Sequence, residues 1–268
     1  MLISLLASLC GLGVASPAKT DVPERARTVA VVELFTSEGC SSCPPADALL
    51  TKLIAEHEAA GDLIALSFHV DYWDNLGWKD PWSSAAATAR QRWYAGRLGS
   101  SLYTPQMVVN GNDEFVGSDA GRARSRLDAA LRRETQWTLT VDATNGAKTD
   151  EINVNASATR IDGAEAKKPS FMIAIVERGL SSKIRRGENA GRTLEHDNVV
   201  RAFETFAPEA KTLVLRVPSD VKRENASLVV LAQEPSGVIV AATTMPLPAK
   251  KTPPEKTPEE GRDAETRK

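Results

Sequence analysis

An almost unbroken apolar run, Val29-Ala30-Val31-Val32-Glu33-Leu34-Phe35, stops at Thr36-Ser37-Glu38-Gly39, delivers two cysteines in Cys40-Ser41-Ser42-Cys43-Pro44 and passes at once into leucines at helical spacing. Such a run, bounded by a break, reads as a strand covered on both faces. Leu49, Leu50, Leu53 and Ile54 share one face of a helix over 46–60, and Leu63 to Val70 reads as a second buried strand. Strand, helix and strand in that order make a right-handed crossover between parallel strands. Parallel strands bring Cys40 and His69 to the same end of the sheet.

A pair of thiols with two residues between them closes only a small ring, and a helix start beside them offers free N–H groups that favour a thiolate. As a staple the ring is weak, about 2 kcal/mol in the chain-entropy model against about 3 for a 15-residue loop. That points to redox use more than to a structural bridge. The chain has three cysteines, and the first lies in the apolar opening Met1 to Ala15, which reads as a secretion signal cut after Ala15 and is too short to span a bilayer. Cys10 does not suit a lipid anchor, because Leu9 stands where such sites want a small residue. After cleavage Cys40 and Cys43 remain, an even count in an oxidising compartment, so a disulfide between them is the resting state. A net charge of −2 with 25% charged residues gives no basic block suited to nucleic acid, and the only membrane contact implied is through the uncleaved signal.

Half of the chain's aromatic residues fall between Asp71 and Tyr103. Trp93 and Leu98 sit in a helical stretch, Ala85 to Leu98, and read as core; Tyr72, Trp73, Trp78 and Trp82 stand in loop-like sequence and are candidates to line a groove. Gln106 to Val109, the Asn110-Gly111 turn signal and Glu114 to Val116 read as a hairpin, followed by a helix to Glu134 capped by Ser118 or Asp119. From Trp137 short alternating strands with few helix signals predict a β-sandwich over 136–248. Within it Arg185 to His196 is a polar, glycine-punctuated segment that either reaches the first domain or a ligand, or merely connects a long hairpin. Residues 249–268, rich in Pro, Lys and Glu, predict a disordered tail.

The order β-α-β-α-β-β-α, with Cys-x-x-Cys after the first strand and Thr104-Pro105 before the third, resembles the thioredoxin fold over residues 28–135. More narrowly, Glu33 to Asp47, His69-Val70-Asp71-Tyr72-Trp73-Asp74, Tyr103-Thr104-Pro105-Gln106 and Gly187-Glu188-Asn189-Ala190-Gly191 resemble the DUF1223 family of secreted bacterial proteins. The resemblance implies an α/β fold class, a thioredoxin-like N-terminal domain followed by an all-β, sandwich-like C-terminal domain, and a cis Thr104–Pro105 bond facing the cysteines. Gly39 replaces the aromatic residue that precedes the first cysteine in thioredoxin, and Pro45 implies a helix that starts later.

Three functions follow for testing. The first is periplasmic or secreted thiol–disulfide exchange with a protein partner, with Cys40 as the more exposed, attacking sulfur, Cys43 resolving, Pro105 shaping the site, and Thr104, Tyr72, Trp73 and Trp78 holding the partner segment. The second is a non-catalytic binding module using the aromatic loops and an interdomain cleft. The third is copper handling by Cys40, Cys43 and His69. Glu38 and Asp71 are candidate acid–base groups near the thiols or surface residues. No cofactor is implied.

Overall fold

The computed structural model describes residues 28–210 and 212–250. The expected leader and nearly all of the expected tail lie outside them.

The first crossover is β1 (Ala30–Thr36), α1 (Pro44–His57) and β2 (Leu63–His69); then come α2 (Ala85–Leu98), β3 (Gln106–Val109), β4 (Asp113–Val116) and α3 (Ala120–Leu131). Pro44 and Pro45 occupy the first two helical positions of α1, where no N–H is needed, so Cys43 and not Cys40 is its N-cap. The helix does begin late. Ser84 caps α2 through its side chain and Gly99 closes that helix in the left-handed conformation. Asp119 caps α3, its carboxylate accepting from the Arg122 N–H.

The remaining strands are β5 (Trp137–Asn145), β6 (Glu151–Arg160), β7 (Ser170–Glu177), β8 (Leu180–Lys183), β9 (Thr193–His196), β10 (Val199–Phe206), β11 (Leu213–Arg216), β12 (Ala226–Gln233) and β13 (Ile239–Pro246). Four of them extend the first sheet. One eight-stranded mixed sheet runs β13-β12-β7-β10-β2-β1-β3-β4, β11-β6-β5 form a second sheet, and β8-β9 stand apart as a hairpin. The join is narrow: β10 meets β2 at Val199 and Ser67, beside Asn198, whose carbonyl accepts the Ser67 N–H at 2.9 Å and whose side chain donates to Ala65 O at 3.0 Å. Residue 136 thus marks a change of texture, while the sheet continues past it.

Side chains alternate between the faces as the pleat requires. Val31, Phe35, Leu66 and Phe68 pack with Tyr94 of α2 and with Met172 and Val229, whereas Val32, Leu34 and Met107 pack with Leu50 and Leu53 of α1 and Leu127 of α3. Each large aliphatic side chain buried this way contributes about 1.5–3 kcal/mol. Farther along, Ile173, Ile175, Leu228 and Val230 face Ile152, Val154, Leu213 and Leu215 of the second sheet, a two-layer β packing. The two halves are also tied by polar groups: Arg90 Nε donates to Glu33 Oε1 at 2.5 Å, Tyr94 OH donates to Glu33 Oε2, and Gln233 of β12 donates to Tyr94 OH at 2.8 Å. All four side chains are buried.

Candidate functional site

The β1–α1 crossover ends where its parallel register places Thr36 beside His69. Just beyond, Cys40 and Cys43 stand at disulfide-bonding distance with their Cα atoms 5.4 Å apart. The Thr104–Pro105 bond is cis, and the Thr104 carbonyl oxygen lies 3.9 Å from Cys40 Sγ, with the Ser42 hydroxyl 3.3 Å away on another side. The cysteine pair and the Thr-Pro bend therefore meet.

Both cysteines are fully buried, so, contrary to the expectation from sequence, Cys40 is not the more exposed of the two. The cover comes from far along the chain. The turn of the β8–β9 hairpin lies over the pair: Asn189 Nδ2 donates to the Glu38 and Cys40 carbonyl oxygens at 2.8 and 3.0 Å, and the Glu188 carboxylate accepts the Ser41 N–H at 3.0 Å. Hydrogen bonds from Ser41 hold the Glu188 carboxyl below the usual range. Gly187 lets this turn seat, since a Cβ there would meet Trp78 Cβ at 3.2 Å and its φ is +77°. The cover is thus a separate hairpin held largely by polar contacts.

Beneath the pair lies a buried ionisable cluster. Asp80 Oδ2 accepts from His69 Nδ1 at 2.6 Å and from the Glu38 N–H at 2.9 Å, while Asp80 Oδ1 accepts from the Trp82 N–H at 2.9 Å. Glu38 Oε1 pairs with His196 Nε2 at 3.2 Å and Glu38 Oε2 accepts the Trp78 indole N–H at 2.7 Å. The two imidazoles cross edge to face with centroids 4.8 Å apart, and Asp47 Oδ2 is 4.0 Å from His196 Nδ1. Burial pushes the Asp47 carboxyl up. Burial opposes charge on His69 as well, but the carboxylates of Asp80, Asp47 and Glu38 together outweigh it and the net shift is upward; Asp80 moves down in turn, its burial outweighed by His69 with the Glu38 and Trp82 N–H groups. The cluster holds charge by pairing it.

The family model described as "Protein of unknown function (DUF1223)" matches residues 31–233, spanning the cysteines, the Thr-Pro bend and the covering hairpin. The chain belongs to the DUF1223 family. An X-ray structure of an Agrobacterium tumefaciens protein is similar at 31% identity, covering 83% of this chain and 96% of that one with a TM-score of 0.59. HBP35 of Porphyromonas gingivalis is similar in fold at 15% identity, covering 87% of this chain and 81% of that one, also with a TM-score of 0.59. Among curated proteins none matches.

In this DUF1223 chain the aromatic loop forms the wall of the site. Trp73 Nε1 donates to Thr104 Oγ1 at 2.9 Å, Trp78 bonds Glu38, and Tyr72 OH donates to Gln91 Oε1 at 3.2 Å. All three are partly exposed. Gly39 is explained by Trp73, since a Cβ at Gly39 would lie 2.9 Å from Trp73 Cβ. Asp71 is tied to α2, its carboxylate accepting the Thr88 hydroxyl at 2.6 Å, and Glu38 is buried rather than on the surface. With the two sulfurs joined, Cys40 and Cys43 present no thiolates to copper in this state. Sequence reasoning gave no individual role to Thr36, Asp47, Asp80, Asn189 or His196, although all but Asp80 lie in motifs or segments that it named. A surface groove of about 530 Å³, lined by Thr28, Asn110, Trp137 and Ile239 among others, includes neither cysteine.

Proposed function

We propose that residues 28–135 act as a thioredoxin-like unit, with an all-β extension, that exchanges disulfides with a protein thiol partner in the periplasm or outside the cell. The observation that carries this reading is the 3.9 Å approach of Cys40 Sγ to the Thr104 carbonyl beside cis-Pro105. In this reading the Thr104 backbone is where an extended partner segment pairs, next to the reducible bond. A partner thiolate attacks Cys40 Sγ, the Cys40–Cys43 bond breaks, and Cys43 leaves with the electron pair and takes up a proton. The start of α1 favours negative charge at Cys43, its N-cap. A second partner thiolate then displaces Cys40 from the mixed disulfide, so two partner thiols become a disulfide and the chain holds a dithiol. The reverse sequence reduces a partner. Thr104, Tyr72, Trp73 and Trp78 border the approach, and the β8–β9 turn must swing aside for it.

Trapping tests this. Reduced Cys43→Ser, incubated with a disulfide-bonded peptide, should accumulate a mixed disulfide at Cys40, and Cys40→Ser should not; failure of Cys43→Ser to trap while folded removes the exchange reading. The complete burial of both sulfurs favours a second reading, a binding module that keeps its disulfide closed. In that case a Cys40→Ser/Cys43→Ser double variant retains its partner on a column and the trapping experiment gives nothing.

A further inference from the structure

Among the described residues four buried side-chain polar atoms lack a hydrogen-bond partner: Thr36 Oγ1, Asp47 Oδ1, His69 Nε2 and His196 Nδ1. All four belong to the cluster beneath the cysteines, where Thr36 is level with His69 in the strand register, the two rings are 4.8 Å apart and Asp47 is 4.0 Å from His196. Buried polar atoms normally find partners; the Thr36 hydroxyl lies close enough to Asp47 to favour its carboxylate, and the two imidazole nitrogens left beside that pair call for a common guest. We propose that they form a binding site for a divalent transition-metal ion of the zinc class, with His69 Nε2, His196 Nδ1 and the Asp47 carboxylate as ligands and the Thr36 hydroxyl beside them.

The outer nitrogens argue for an ion. His69 Nδ1 faces the Asp80 carboxylate at 2.6 Å and His196 Nε2 faces that of Glu38 at 3.2 Å. A carboxylate only accepts, so each outer nitrogen carries the hydrogen, and in the neutral ring that a metal ion requires each inner nitrogen offers its lone pair. That carboxylate–histidine arrangement is how metal-ligating imidazoles are oriented and made more basic. Two lone pairs and a carboxylate make three acceptors. A water together with the Thr36 hydroxyl brings three hydrogens to these acceptors, whereas a cation meets all three at one point and takes the place of any proton shared between them.

Distances are close to what an ion needs. Two imidazoles bound at about 2.0–2.1 Å to a tetrahedral ion have centroids about 5 Å apart, and neighbouring ligand atoms about 3.4 Å apart. The rings already meet the first figure. Asp47 does not yet meet the second, and no three His, Cys, Asp or Glu side chains among the described residues are closed around one point, so binding requires the three ligands to draw together. His196 arrives on β9, outside the main sheet, so movement of the hairpin opens a way in. The proposed ligands do not include the sulfurs, so the site stands whether or not they exchange.

Cobalt and zinc provide the test. Full-length protein stripped with chelator and kept oxidised should bind one equivalent of Co²⁺ with visible d–d absorption, give it up to Zn²⁺, and melt at a higher temperature with either ion. His69→Gln and His196→Gln should each weaken binding about tenfold or more, and Cys40→Ser/Cys43→Ser should leave it unchanged. Should the histidine variants not fold, ¹⁵N imidazole spectra of the wild type decide, because Zn²⁺ must move His69 Nε2 and His196 Nδ1. No saturable binding with both rings unmoved, or binding that follows the cysteines and ignores the histidines, overturns the site and leaves an ordered water and a shared proton there.

Discussion

The Glu188 carboxylate accepts the backbone N–H of Ser41 at 3.0 Å across 147 positions of sequence, and so fastens the β8–β9 turn to the first of the two residues between the cysteines. Asn189 beside it adds two hydrogen bonds to the same loop. If each is worth about 1 kcal/mol net, removing both loosens the cover by a factor of up to roughly 30. Asn189→Ala should therefore speed reduction of the Cys40–Cys43 disulfide by dithiothreitol several-fold, read as thiol release with time. An unchanged rate would show that the turn does not guard the bond.

Acid should loosen the same cover. The Glu188 carboxyl is held below its ordinary 4.5 by Ser41. For a group whose folded pKa is depressed, the stabilisation is present above the ordinary value and is lost as pH falls through the folded one. Reduction by a phosphine at each pH, expressed as wild type over Glu188→Gln, should be below one at neutral pH and approach one only once the pH drops past the ordinary glutamate range. A ratio that stays flat would separate Glu188 from the cover.

The dithiol end of the molecule is legible because its signals are local. The break after Phe35, the two prolines after Cys43, the Ala85 to Leu98 periodicity and the Asn110-Gly111 turn each dictate backbone within a few residues, and each stands where the pattern puts it. The segment from Arg185 to His196 is both a hairpin connection and a reach to the first half. The continuation of the sheet is not legible, for Val199 reaches Ser67 through backbone hydrogen bonds that any sequence can make. The pairing of His196 with Glu38 spans 158 residues and has no spacing rule to reveal it. Nor does Asp47 advertise its burial, since a carboxylate in the first turn of a helix is ordinary at a solvated surface.

The tie between the halves is open to direct measurement. Arg90 and Glu33 are both buried, and Gln233 joins them through Tyr94. Arg90→Leu strips Glu33 of its charge partner and should cost about 3–5 kcal/mol in denaturant unfolding, whereas Glu33→Leu/Arg90→Leu should recover much of that. A single-variant loss below about 1 kcal/mol would mean that water reaches Glu33.

Gly39 is a sharply constrained position at the site. Adding a methyl group there places a carbon 2.9 Å from Trp73 Cβ, with the Trp73 carbonyl at 3.4 Å, so the tryptophan backbone has to yield. Overpacking of this kind costs about 1–3 kcal/mol. Trp73 in turn holds Thr104 through its indole N–H at 2.9 Å, and Thr104 carries the carbonyl against Cys40 Sγ. Gly39→Ala should therefore lower the melting temperature and, through the displaced indole, change the tryptophan emission and the rate of disulfide reduction together. Lower stability with emission and reduction rate both unchanged would place the strain elsewhere and break the chain of contacts from Gly39 to the sulfur.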